Sequence, residues 1–156
     1  MARYSRRVVY VEWSKPLTPV TREKLLELCR TASYTLLLSN NIRRDVLLVN
    51  RYPDGYTVTF NPRRLRGLRM DEESCTGLIR RAILRGGVRG VVVRIAGGGG
   101  APPGCCTPVH ALRSCCSCIR LEAPVVAVQG VEVYTWFLAA AILMKHDVVC
   151  GSWRSS

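Results

Sequence analysis

Leu36-Leu37-Leu38-Ser39-Asn40-Asn41-Ile42-Arg43-Arg44-Asp45-Val46-Leu47-Leu48-Val49-Asn50 is the stretch on which the fold turns. Upstream of it, Leu25, Leu26, Cys29, Ala32 and Leu36 recur mostly at intervals of three or four, the period of a helix with one apolar face. Thr18-Pro19 predicts the start of that helix, with Thr as cap and Pro in the first turn. Asn40-Asn41 predicts its end, because Asn tolerates left-handed backbone. Val46 to Asn50 is a short continuous apolar run that suits a buried strand. A polar loop bearing two arginines and an aspartate therefore joins a helix to a buried strand.

Working outward, Val8 to Trp13 reads as an N-terminal strand. Pro53-Asp54-Gly55 is a turn, and Tyr56 to Phe60 alternates as a half-buried strand. Asp71-Glu72-Glu73 opens a helix with acids at the positive end of its dipole; Leu78, Ile79, Ala82 and Ile83 form its apolar face. Gly86-Gly87 stops it. Val88 to Ile95 reads as a strand interrupted at Gly90, followed by a glycine-rich loop to Gly104. A short helix over Pro108 to Cys116, a strand over Pro124 to Val128 and an apolar helix over Val131 to His146 complete the chain. The order predicts one α/β domain over residues 1–156: an open, mostly parallel sheet with helices on both faces.

The charge is lopsided: 23 Lys+Arg against 11 Asp+Glu, a formal +12, with only three lysines. Arginine presents a planar fork that matches phosphate and base edges, so the balance points to a nucleic-acid partner. An arginine-rich genome or a heat-adapted, ion-paired surface is the bland alternative, but pairing would need acids in similar number. The N-terminal stretch reads as a strand rather than a signal peptide. No apolar run reaches the ~20 residues of a membrane span. A cytoplasmic protein is expected.

Four segments carry chemistry. Arg43-Arg44-Asp45 would hold a phosphate with an acid orienting one guanidinium, or else form a surface ion pair near a helix end. Arg63, Arg64, Arg66 and Arg69 follow a strand and suit an RNA backbone, or else line a solvated loop. Gly97 to Gly100 allows close backbone approach to a nucleotide but lacks the spacing of a phosphate-binding loop. Cys105, Cys106, His110, Cys115, Cys116 and Cys118 crowd together. Their spacing fits zinc knuckles poorly, and buried thiols or disulfides are the expectation. His146 reads as a residue near a helix C-terminus rather than a catalyst.

These segments resemble a family. Leu28 to Val46, with Leu38-Ser39-Asn40-Asn41-Ile42-Arg43-Arg44-Asp45-Val46 at its end, is similar to the archaeal tRNA pseudouridine N1-methyltransferases, which carry Leu-Ser-x-x-Ile-Arg-Arg-Asp-Val between a helix and a strand. Phe60, Leu65, Asp71-Glu72 and Leu78-Ile79-Arg80-Arg81-Ala82 follow at matching spacing. Val128-Gln129-Gly130-Val131-Glu132-Val133 resembles the turn that closes the family's knot. Some tens of residues are absent between Leu84 and Val125.

The resemblance implies a SPOUT-type trefoil knot and a homodimer. It implies S-adenosyl-L-methionine (SAM) held by Gly97, Gly98, Val128, Gln129, Gly130 and Val133. The expected substrate is tRNA, methylated at N1 of a T-loop pseudouridine. Asp45 is the candidate acid–base or orienting group, and Arg43 and Arg44 would hold the nucleotide. Two other readings compete: a catalytically inactive relative that binds RNA or serves as a subunit, and an unrelated α/β domain with a cysteine-based metal or redox role.

Overall fold

The computed structural model describes residues 7–38, 41–65, 72–95 and 101–150. In chain order it contains β1 (Arg7–Trp13), α1 (Arg22–Leu36), β2 (Leu37–Leu38), β3 (Asn41–Ile42), β4 (Val46–Arg51), β5 (Tyr56–Phe60) and α2 (Glu72–Arg85). There follow β6 (Gly87–Val88), β7 (Val91–Ile95), α3 (Pro108–Arg113), β8 (Cys118–Ala123), β9 (Val125–Val128), β10 (Val131–Tyr134) and α4 (Thr135–Val149).

Six strands form one sheet in the order β6-β7-β5-β4-β1-β8. β1 runs parallel to β4 and β8, while the β4–β5, β5–β7 and β6–β7 pairings are antiparallel. The sheet is thus mixed rather than mostly parallel. The reason lies in the connections: the turns at Pro53-Asp54-Gly55 and Arg89-Gly90 are too short to join anything but antiparallel neighbours, whereas the long β1-to-β4 connection contains a helix.

Register defines the two faces. Val9, Val11 and Trp13 lie level with Leu48 and Asn50 on one side and with Ile119, Leu121 and Ala123 on the other, and all are buried. Alternate residues point the other way: Val8, Tyr10 and Glu12 are half-buried, and Arg120 and Glu122 exposed. α2, α1 and α4 pack side by side. Helices in lateral contact share a face, so among the described residues the three long helices cover one face, not both. Phe60 and Leu48 of the sheet and Ile79 of α2 are fully excluded from water, each stabilising the fold by about 1.5–3 kcal/mol.

Several boundaries move from their sequence expectation. α1 begins at Arg22, capped by Thr21, whose hydroxyl accepts from the Lys24 N–H at 3.2 Å. The earlier Thr18 is held in a turn by Asp54, whose carboxylate accepts from Leu17 N–H (3.2 Å), Thr18 N–H (3.0 Å) and the Thr18 hydroxyl (2.7 Å). α1 ends at Leu36, where the Arg43 N–H donates to the Leu36 carbonyl at 2.6 Å and the β2–β3 pair takes over. The expected strand from Val88 splits at Gly90 (φ +88°), and its two halves pair back on each other. The expected helix from Val131 begins as β10, because Gln129 (φ +51°) and Gly130 (φ +82°) make a two-residue hairpin turn. All eight cysteines are paired: Cys29–Cys75, Cys105–Cys118, Cys106–Cys116 and Cys115–Cys150.

Candidate functional site

The Arg43-Arg44-Asp45 loop sits at the N-terminal end of β4, beside the start of β1. Arg43 turns inward. Its Nε meets Asp147 Oδ2 of α4 at 2.9 Å and its Nη1 donates to the Thr35 carbonyl at 2.8 Å. Arg7 meets Asp45 and also reaches Asp147 Oδ1 at 2.9 Å. Both arginines are buried and both aspartates are half-buried. Two cations and two anions thus form a closed cluster that joins β1, the loop and the end of α4.

Arg44 turns outward from the same loop. Its Nη1 donates to the Pro62 carbonyl at 3.0 Å, which fixes it beside exposed Arg63 and Arg64. The turn bearing Arg63 and Arg64 is itself held by Asn61, whose N–H donates to the Gly90 carbonyl at 2.7 Å. Arg44, Arg63, Arg64 and exposed Arg89 therefore crowd one end of the sheet. Arg66, Arg69, Gly97 and Gly98 lie outside the described residues.

The opposite end of the sheet holds a cleft of about 460 Å³ lined by Glu12, Trp13, Glu122, Pro124, Ala127 and Glu132 among others. It opens where β1 and β8, two parallel neighbours, end. The chain leaves β1 toward β4 on one side and returns to β8 on the other, so this is the point where strand order reverses. In open α/β sheets that point is where ligands bind. The start of α4 closes the cleft's edge: Thr135 N–H donates to the Pro124 carbonyl at 3.0 Å, and its hydroxyl donates to the Glu122 carbonyl. The β9–β10 hairpin forms another wall. Val128 and Val133 pack against the core, while Gln129 and Gly130 lie exposed at its tip.

The predicted site residues therefore fall into two groups that the fold keeps apart. Arg43, Arg44 and Asp45 stand at the start of β1, and the hairpin and cleft at its end, about 20 Å away along a seven-residue strand. Sequence reasoning missed Glu12, Glu122 and Trp13; the alternation Ile119-Arg120-Leu121-Glu122-Ala123 was the signal that could have placed Glu122 on a strand. Trp13 stacks on Tyr52 with centroids 5.5 Å apart, and its Nε1 donates to Asn50 Oδ1 at 3.0 Å. Burial, then the charges of Glu27 and Asp54, push the Tyr52 hydroxyl well above its ordinary value. His146 lies in the last turn of α4, as its sequence reading has it, and its carbonyl accepts from the Cys150 N–H; its side chain is buried, with Nε2 2.7 Å from the Ala111 carbonyl.

No protein-family model matches the chain. Over 56 residues it is 45% identical to a tRNA (pseudouridine(54)-N(1))-methyltransferase of Haloarcula marismortui. The similarity covers 36% of this chain and 28% of that protein, so the chain spans little more than a quarter of the length of the curated relative it matches.

Proposed function

We propose that the chain is a SAM-dependent tRNA methyltransferase of the knotted SPOUT class, acting on N1 of a T-loop pseudouridine, with its cofactor in the cleft at the ends of β1 and β8. The cleft carries this reading. Its size falls within the range of small-molecule sites, and its residues fit SAM. Two exposed carboxylates, on Glu122 and Glu132, suit a ligand with sulfonium and ammonium charges, while the third, Glu12, already meets Arg51 at 3.6 Å. Trp13, Pro124, Val125 and Ala127 offer an apolar wall for its adenine. When bound, SAM supplies the electrophilic methyl group.

The chain's own residues divide the remaining work. Arg44, Arg63 and Arg64 take RNA phosphates at the basic end, a role that the arginine run in the sequence extends to Arg66 and Arg69. The family resemblance assigns the cofactor to Val128, Gln129, Gly130 and Val133, with Gly97 and Gly98; the hairpin itself meets the cleft through its neighbouring residues Val125, Ala127 and Glu132. The target nitrogen must lose its proton to a group within hydrogen-bond reach. Asp45, about 20 Å away within one chain and paired with Arg7, acts with Arg43 to hold the loop. Glu132 at the cleft is the better-placed acceptor. A second copy of the chain packs on α4, where Phe137, Met144 and Val148 form an apolar stripe 57%, 61% and 77% exposed. Among the described residues no helix is long and apolar enough to cross a membrane.

Transfer of labelled methyl groups from SAM to tRNA with pseudouridine or uridine in the T-loop tests this reading. Incorporation only into the pseudouridine form is the expected result; none into either form would sink it. A second reading, an inactive relative that binds RNA, is favoured by one observation: Arg43 and Asp45 are both engaged in the ion cluster, far from the cleft. It predicts RNA affinity without methyl transfer.

A further inference from the structure

Three aromatic rings form a stack between α1 and the start of α4. Trp136 meets both tyrosines: Tyr34 at 4.7 Å with the ring planes tilted by 35°, and Tyr134 at 5.6 Å with the planes near parallel at 14°. Buried aromatics need no explanation, but this stack ends in the open: Tyr134 is 60% exposed and Tyr34 38%. The stack has polar company. Arg30 precedes Tyr34 by one turn of α1 and is 51% exposed, in an ion pair with Glu72 at 3.4 Å. Glu27, Arg30 and Thr31 line a dent against Trp13, Pro124, Tyr134 and Trp136. Trp13 and Pro124 also line the cleft, so the stack stands immediately beside it.

We propose that the Tyr34–Trp136–Tyr134 stack is a platform for an unpaired RNA base, which extends the row of rings on the outer face of Tyr134. The inference rests on the RNA reading above and adds to it how a single-stranded segment is held beside the cleft. Aromatic faces are the usual partners of splayed-out bases because every base has a π-face. Arg30, half exposed in the same dent, is the cation placed beside the rings to meet the base's phosphate. A second copy of the chain is the poorer occupant, since charged groups are depleted from the centres of subunit interfaces and here Glu27, Arg30 and Glu72 adjoin the rings.

The test is fluorescence anisotropy of labelled hexauridylate and of a labelled RNA duplex with equal phosphate count, at one salt concentration, against the parent protein, Tyr134→Ala and Tyr134→Phe. Loss of one stacking face should weaken single-strand binding about tenfold in Tyr134→Ala. Tyr134→Phe should keep it, and duplex binding should stay unchanged in both. Tyr34→Ala, at the other end of the stack, should weaken single-strand binding as well. Equal single-strand affinity in parent and Tyr134→Ala would overturn the proposal, as would an equal loss for duplex. A Tyr134→Ala change confined to sedimentation would assign the rings to a second copy instead, against the proposal. Absence of methyl transfer alongside Tyr134-dependent single-strand binding would sink the methyltransferase reading and leave the platform standing.

Discussion

Arg7 grips Asp45 through two parallel contacts: Nε donates to Oδ2 at 3.0 Å and Nη2 to Oδ1 at 3.1 Å. The same guanidinium meets Asp147 of α4, which in turn meets Arg43. Segments separated by 38 and 104 residues are closed here by charge. A buried pair contributes little when intact, but removing one partner strands the other's charge at considerable cost.

Asp45→Ala is therefore expected to lower unfolding stability by about 2 kcal/mol, less than a fully buried pair because Asp45 is half-buried. SAM affinity should stay within about twofold of the parent, since the cleft lies at the other end of β1 and distant sites act independently. Urea denaturation and calorimetry check both. Unchanged stability with lost SAM binding would place Asp45 in the cofactor site instead.

Asp54 should make stability acid-sensitive. Burial opposes its ionisation, but donors on Thr18 and Leu17 outweigh it and hold the carboxyl below the usual aspartate value. A depressed folded-state value means the stabilisation is present at neutral pH. It fades as pH falls through the ordinary aspartate range to the depressed value. Asp54→Asn should lose stability less steeply than the parent on acidification. Parallel urea midpoints across that range would contradict this.

Cys29–Cys75 ties α1 to α2 across 46 residues of sequence. Closing a loop of that length restricts the unfolded chain by roughly 4 kcal/mol. The double variant Cys29→Ala/Cys75→Ala should unfold at markedly lower denaturant than the oxidised parent. Full reduction of both proteins should bring their midpoints together, since each then loses the other three disulfides as well.

Gly90 has no room for a side chain. An added Cβ would stand 2.6 Å from the Leu65 backbone nitrogen, at a φ of +88°. Gly90→Ala should cost at least roughly 2 kcal/mol in strain and displacement, read by thermal unfolding. Because Leu65 follows Arg63-Arg64, RNA affinity at low salt should fall with it. A neutral Gly90→Ala would show that the turn tolerates a shift.

The residues that were legible in the sequence are those whose signal is local. The apolar runs of β1, β4 and β5 and the faces of α1 and α2 declared themselves by period. What the sequence concealed depended on distant partners. Thr18-Pro19 has the grammar of a helix start, yet Asp54, far along the chain, claims its donors. β8 alternates cleanly from Ile119 to Ala123 but sits between a cysteine cluster and Pro124, and only pairing with β1 reveals it as a strand. Val131 to Tyr134 reads as the first turn of an apolar helix until the left-handed pair Gln129-Gly130 folds it back on β9. The candidate site suffered most. Arg43 and Asp45 are conspicuous in the sequence because they neighbour each other, whereas Glu12, Glu122 and Glu132 meet only once two parallel strands and a hairpin bring them to one cleft.

Calorimetric titration of SAM into the purified protein, beside its Glu122→Gln variant, tests the central claim most directly. Saturable micromolar binding, weakened about tenfold in the variant by loss of one carboxylate facing a cationic ligand, is the predicted result. No heat of binding to the parent at millimolar SAM would contradict the cleft as a cofactor site and leave RNA affinity as the property to explain.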